Sequence, residues 1–246
     1  MVIYTDKKMK HETDKSLNID LSIVIPAYLE EDNLKIILPK LNTVARTIVK
    51  NYEIIVVDTI VPMDKTDEVC RVNNVIYVNR KGGNTFGDAV RTGISMIRGR
   101  YTVFMDADGS HDPEFIANLY MQRNYSDIVI ASRYIDGGRT DNGAILIMMS
   151  LIVNKLYSFA LDLKCKDVSN SYKLYRSSDL KEIELKRSNF DVVEEILFKI
   201  KRNKQNLKIK EIPFTFKKRI YGKTKRNLIL FIFTYAITIV RLRFDK

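Results

Sequence analysis

Cysteine is scarce in this 246-residue chain: there are two, Cys70 and Cys165. They fit neither a disulfide framework nor a zinc site, so the sequence predicts a reduced, cytosolic setting, with both thiols as small core or surface residues. An apolar h-region is missing too. Residues 1–20 are polar and mixed in charge, which argues against a signal peptide and predicts a partly disordered or edge-lying segment. No apolar run reaches the ~20 residues that a bilayer span needs. Nucleic-acid signatures are absent: there is no RNP-like aromatic pattern, no zinc-finger spacing and no isolated basic helix, so nucleic acid is not an expected partner. No internal repeat or low-complexity linker divides the chain.

The composition that is present, 46% hydrophobic and 29% charged, suits a globular protein with one substantial core. The formal net charge is +11, and it is unevenly placed. Residues 164–246 hold 22 basic against 9 acidic side chains, whereas residues 1–163 hold 19 against 21. All the positive excess therefore lies in the last third. It implies an anionic partner, and without a nucleic-acid motif that partner is a membrane face or a lipid phosphate.

Short apolar runs at 21–26, 52–57, 75–78, 101–105 and 127–131 read as strands. Segments with helical spacing at 32–50, 65–73, 86–98 and 113–125 lie between them. Pro113 suits a first helical turn, and Pro39 is expected to kink or restart the first helix. Alternation of this kind predicts an α/β fold: a mostly parallel sheet with helices on both faces. Further on, 143–163 and 192–202 read as helices, and 171–175 and 209–216 as strands. The chain divides into a polar segment 1–20, a domain 21–225 and a basic C-terminal extension 226–246 with an apolar terminal helix. Within that extension, 228–240 is almost wholly apolar and flanked by Lys223, Lys225, Arg226, Arg241 and Arg243. Two readings stand for it: a helix docked on the domain, or one lying in a membrane interface.

The most informative residues are Asp106-Ala107-Asp108, at the end of the run Tyr101-Thr102-Val103-Phe104-Met105. Side chains two apart on extended backbone point the same way, so both carboxylates converge where open α/β sheets bind ligands. Paired carboxylates there suit a hard cation, Mg²⁺ or Mn²⁺, that substrate phosphates also hold. Asp58 closes the second run and could accept hydrogen bonds from a nucleobase. Arg80-Lys81-Gly82-Gly83-Asn84-Thr85 is a basic, glycine-rich loop entering a helix, able to hold a nucleotide phosphate through charge and backbone N–H groups. It is not a P-loop, because Asp88 stands where lysine is required, and no Rossmann G-x-G-x-x-G occurs.

Read in order, these motifs resemble family 2 glycosyltransferases of GT-A fold, among them the dolichyl- and polyprenyl-phosphate mannosyl- and glucosyltransferases. Ile25-Pro26-Ala27-Tyr28 with Glu30-Glu31 and Asn33 is similar to the opening nucleotide-binding motif. Asp106-Ala107-Asp108 is similar to the metal motif. Ala131-Ser132-Arg133-Tyr134 before Gly137-Gly138, Asp167 to Arg176, and Glu211-Ile212-Pro213 with Arg219, Gly222 and Lys225 follow the family order. The resemblance implies a GDP- or UDP-hexose donor, bound by Pro26, Ala27, Tyr28, Glu30, Asp58, Arg80, Lys81, Asp106, Ala107 and Asp108. It implies a lipid phosphate acceptor, and a location peripheral to the cytoplasmic face of a membrane. A phosphate acceptor is already ionised near neutral pH, its second pKa being roughly 6, so cations are needed and a strong base is not. Arg133, Arg219 and Lys225 match the family's basic positions. Direct attack would invert the anomeric centre.

Three departures stand out. Thr59 follows Asp58 where a second aspartate is usual. Ser110 stands where many relatives carry glutamine. Asn170-Ser171 replaces Ser-Gly. His111, Asp112, Glu194 and Glu195 could contact the metal or the sugar, or could serve the helices they adjoin. A nucleotidyltransferase would need a glycine-rich basic loop directly after the first strand, and Pro26-Ala27-Tyr28-Leu29-Glu30-Glu31 is not one. Transfer to a glycan hydroxyl and a non-catalytic glycan-binding role remain as alternatives.

Overall fold

The apolar runs become strands because their alternate residues feed two different cores. In a computed structural model, which describes residues 18–221, 238–239 and 241–243, the first run is β1 (Leu21–Pro26). Ile23 and Ile25 enter one core while Val24 enters the other. The same alternation divides Ile54 and Val56 from Ile55 and Val57 in β2 (Tyr52–Asp58), and Val103 from Phe104 in β4 (Tyr101–Phe104). Both faces must therefore be covered, and the intervening segments supply the cover. Helices α1 (Glu31–Ile48), α2 (Thr66–Val72) and α4 (Phe115–Met121) pack on the first face through Leu34, Leu38, Leu41, Val69 and Leu119. Opposite them lie α3 (Phe86–Met96), α5 (Ala144–Ala160), α6 (Ser177–Lys181) and α7 (Val192–Asn203).

The sheet order is β3-β2-β1-β4-β7-β5-β8, with β3 (Ile76–Asn79), β5 (Ile128–Ser132), β7 (Lys173–Arg176) and β8 (Ile209–Pro213). All neighbours run parallel except β7, which is antiparallel to both β4 and β5. The expected mostly parallel α/β sheet is present, but β7 inserts between strands that precede it in the chain. A second pair, β6 (Arg139–Thr140) with β9 (Thr215–Phe216), lies apart from the main sheet. Helix α1 is continuous through Pro39, so the restart does not occur.

The parallel register decides where chemistry can occur. Pro26 pairs with Val57 and Val24 with Phe104, so the C-terminal ends of β1, β2 and β4 share one edge. Gly93 lets α3 lie close against this part of the sheet, since a Cβ there would stand 2.5 Å from Val24 Cγ1. Both cysteines are buried, and burial pushes each thiol up to about 12, as expected of core residues. Expectations about residues 1–17, Gly222, Lys225 and 226–237 lie outside the described residues. Of the terminal segment, Leu242 is buried, Thr238 Oγ1 donates to Asp191 Oδ2 at 2.6 Å, and Arg243 donates to the Ala160 carbonyl.

Candidate active site

Asp106 and Asp108 stand just past β4, on the edge set by the parallel strands. Neither carboxylate is left to find its own orientation. Ser171 Oγ donates to Asp106 Oδ1 at 2.9 Å. The Asp106 amide donates to His111 Nδ1 at 2.9 Å. Ser110 donates to Asp108 Oδ1 from both its amide, at 3.0 Å, and its hydroxyl, at 2.6 Å. Arg219 Nη2 donates to Asp108 Oδ2 at 2.8 Å. Burial opposes ionisation of Asp108, but the Ser110 hydrogen bonds, with the charge of Arg219, hold its carboxyl below the usual range.

His111 is fully buried and stacked on Tyr172 with ring centroids 4.5 Å apart. Burial lowers its pKa, so the ring is neutral. Because Nδ1 accepts from the Asp106 amide, the proton sits on Nε2, which has no hydrogen-bond partner among the described residues and lies 3.8 Å from Asp106 Oδ2. Of the two roles open to His111 in the sequence, the geometry shows a brace for the aspartate loop. Asp112 lies farther out, between Lys217 at 2.8 Å and Lys40 at 2.9 Å. Some desolvation works against its charge, but these lysines outweigh that and pull its carboxyl from 3.8 down to about 2. The folded pKa is the depressed one, so the unfolded chain takes up the proton first. Stability contributed by Asp112 is full above about pH 4 and is lost as pH falls toward about 2. Asp112→Asn is therefore expected to flatten this part of the stability–pH curve, measured by urea unfolding.

A strap holds Arg219 in place. Beyond β9, the Lys217 amide donates to the Ser110 carbonyl, and the Ile220 amide to the Asp108 carbonyl at 2.9 Å. The Tyr221 amide donates to Asn33 Oδ1 on α1. Gly109 permits this approach: its φ is 83°, and a Cβ there would meet Ile220 at 2.5 Å. The floor under Asp106 and Ser171 is apolar, lined by Pro26, Phe86, Val90, Phe104 and Tyr175. Such a floor keeps the local dielectric low and strengthens charge interactions above it.

The other sequence-predicted residues gather beside this pair. Asp58 ends β2 fully buried; desolvation raises its pKa, and Oδ2 accepts from Tyr77 Oη at 3.1 Å. Arg80 is buried as well, and its guanidinium donates to the carbonyls of Ala27, Asn84 and Thr85. It staples the loop after β1 to the loop before α3 and does not project as an open cation. Lys81 is exposed, Tyr28 is half-buried, and Glu30 Oε2 accepts from Asn33. Ala107 and Ala27 are buried backbone positions. Arg133 is engaged: Nε and Nη2 donate to Asp167 at 2.8 and 2.7 Å, and Nη2 also reaches Ser169. Lys173, fully buried, donates to the carbonyls of Val168 and Asn170 and so fixes the loop that carries Ser171. Glu195 accepts from the amides of Lys186 and Arg187 and pairs with Lys199, which makes it a support for α7. Ser171 and Lys173 were legible only as motif positions, and the role of Ser171 at Asp106 carried no local signal.

Residues 22–184 match the family described as glycosyl transferase family 2. The chain belongs to that family. This glycosyltransferase is 32% identical over 212 residues to a dolichol-phosphate mannosyltransferase of Pyrococcus furiosus, across 83% of this chain and 58% of the relative. The chain thus spans less than two thirds of that relative's length. It is 31% identical over 218 residues to an undecaprenyl-phosphate mannosyltransferase of Micrococcus luteus, covering 83% of this chain and 86% of the relative. In three dimensions it resembles glucosyl-3-phosphoglycerate synthase from Mycobacterium tuberculosis, solved with Mn²⁺, UDP-glucose and phosphoglyceric acid. That match has a TM-score of 0.66 and 16% identity, and covers 92% of this chain and 79% of the other. The likeness establishes the GT-A fold of this glycosyltransferase. Among its described residues, no group of three or more His, Cys, Asp and Glu side chains is placed to hold a metal. Mg²⁺ is commonly bound by one or two carboxylates together with substrate phosphates.

Proposed function

We propose that this glycosyltransferase moves a hexose, mannose by preference, from a nucleotide-diphosphate sugar to a polyprenyl or dolichyl phosphate, inverting the anomeric centre. The observation that carries the proposal is the braced pair Asp106 and Asp108 at the sheet edge, with Arg219 strapped against it. The curated relatives named for polyprenyl-phosphate mannosyl transfer support the choice of sugar and acceptor.

Both aspartates present hard oxygen donors, ionised in the case of Asp108, and Asp106 Oδ2 makes no hydrogen bond among the described residues. That donor set fits Mg²⁺ or Mn²⁺, which Asp106 and Asp108 would hold and which would neutralise charge on the departing diphosphate. The protein's own part is preorganisation. Ser171 and His111 fix the direction of Asp106, and Ser110 fixes Asp108. Buried Asp58 offers carboxylate oxygens to base N–H groups beside Pro26, Ala27 and Tyr28. Arg219 places positive charge against Asp108, suited to orienting a phosphate nucleophile that needs no base. Arg133 acts at one remove, holding the Asp167–Ser171 loop. At the membrane the protein is peripheral; no described helix is long and apolar enough to cross one.

The test is a transfer assay with the full chain, GDP-mannose, UDP-glucose and GDP-glucose as donors, and a polyprenyl phosphate as acceptor. Glycosyl lipid phosphate should form with Mg²⁺ or Mn²⁺ present and cease in excess chelator. Transfer to a soluble glycan hydroxyl, with none to any lipid phosphate, would overturn the acceptor assignment.

A further inference from the structure

Lys173 is a charge in an apolar place. Along β7, Tyr172 and Leu174 enter the first core, while Lys173 shares the opposite face with Tyr175. Its strand neighbours Phe104 and Ile130 both belong to that second core. The side chain is fully buried, and burial pulls its pKa from 10.5 down to about 8. Asp167, Glu194 and the Cys165 thiol oppose that shift, and Arg133 adds to it. A hydrocarbon side chain of similar volume would serve the core as well as this ammonium or better. Packing therefore does not account for a lysine here.

The loop before it does. Pairs in the β4–β7 ladder run from Tyr101 with Arg176 to Phe104 with Lys173. Continued by two residues, the same register sets Asp106 opposite Ser171, and Ser171 Oγ does reach Asp106 Oδ1 at 2.9 Å. The ladder itself has stopped by then, and Asn170 Nδ2 turns back to the Ala131 carbonyl at 2.6 Å. Lys173 takes over where the ladder ends. Its Nζ donates to the Val168 carbonyl at 2.9 Å and to the Asn170 carbonyl. The Asn170 carbonyl and the Ser171 amide share one planar peptide group, so the ammonium fixes the backbone from which the Ser171 hydroxyl departs. The other ties of this loop, Arg133 to Asp167 and the Ser169 amide to Asn154, act outside that plane. Ser171 is also a departure from the resembling motif, which carries glycine there and has no hydroxyl to offer.

We propose that Ser171 and Lys173 form one positioning unit for metal binding: the ammonium sets the 170–171 peptide, and the Ser171 hydroxyl takes Asp106 Oδ1 and leaves Oδ2 for the cation. The inference rests on the reading of Asp106 as a metal ligand. Neither residue is itself a ligand in this role. Outer partners of this kind commonly govern metal affinity tenfold to a hundredfold.

The test is titration of the full chain with Mn²⁺ in GDP and, separately, in UDP, read by the paramagnetic resonance signal of free Mn²⁺. Thermal unfolding and sugar transfer are measured on the same samples. Ser171→Ala should weaken Mn²⁺ binding about tenfold or more with the melting temperature unchanged, and Ser171→Thr should restore it. Lys173→Met should weaken Mn²⁺ binding to a similar extent. The double variant should bind no more weakly than either single one, because the lysine acts through the serine. Lys173→Gln, which keeps a donor without the charge, takes the place of Lys173→Met in this cycle should the latter not fold. Wild-type affinity in Ser171→Ala, or losses that multiply in the double variant, would overturn the proposal. So would failure of both lysine variants to fold, which would make Lys173 a core support. A wild type that binds no Mn²⁺ would remove the metal reading together with this one. Mn²⁺ binding governed by the pair, without transfer to any lipid phosphate, would keep the positioning unit and remove the acceptor assignment.

Discussion

Asp108→Asn is expected to lower turnover by a factor on the order of a thousand or more while the protein stays folded. The substitution keeps the shape but removes the charge that a divalent cation and Arg219 both require. One oxygen of Asp108 is taken by Ser110 and the other by Arg219, so the amide leaves Arg219 facing a neutral group. Loss of stability should be small, about 1 kcal/mol, because the amide oxygen can still accept from Ser110. The readout is single-turnover sugar transfer beside thermal unfolding of the same sample. Wild-type turnover in the variant, or persistence of wild-type activity in excess chelator, would show that the aspartate pair is not the metal site.

The largest effect on stability is expected from Arg133→Met. Asp167 is fully buried and accepts from the Arg133 amide, Nε and Nη2. Burial opposes the guanidinium charge, yet Asp167 more than compensates and raises the Arg133 pKa. Removing the arginine leaves an uncompensated carboxylate in the interior, which costs about 3–5 kcal/mol. Urea unfolding should show that loss, and Asp167→Asn added to Arg133→Met should recover part of it, since the stranded charge is then gone. An Arg133→Met chain as stable as wild type would mean that the pair is solvated and dispensable.

These two predictions draw on different amounts of what the sequence shows. Asp106 and Asp108 are readable because an acidic pair directly follows an apolar run; β4 ends at Phe104 and Asp108 lies in a turn, so the pair is held by side-chain bonds and not by extended strand backbone as expected. Local patterning likewise gives β1 to β5 and the helices between them. Where the reading stops, the cause is distance along the chain. Arg219 meets Asp108 across 111 positions and Arg133 meets Asp167 across 34, and no periodicity encodes either meeting. Strands β6 and β9 have two residues each, too few to show an alternation. The orientation of β7 was hidden as well, because a buried antiparallel strand flanked on both sides has the same apolar character as a parallel one. Arg80 illustrates the opposite limit. Its basic, glycine-rich setting is plain in the sequence, yet burial turns the guanidinium toward three backbone carbonyls. Helix α5 was recognisable as apolar and helical, but hydropathy does not say which side of an apolar helix remains uncovered.

The insertion of β7 also orders the birth of the fold. Strand β5 is bonded to β7 and β8 and to no earlier strand of the sheet. During synthesis β1 to β4 can assemble as they emerge, whereas β5 waits with both edges open until Lys173–Arg176 has left the ribosome. The free edge of β4 waits for the same four residues. Such long-range closure slows folding and leaves unpaired strand edges open to other nascent chains. A chain cut short before β7 would keep the nucleotide-side strands and lose the seam that joins the two halves of the sheet.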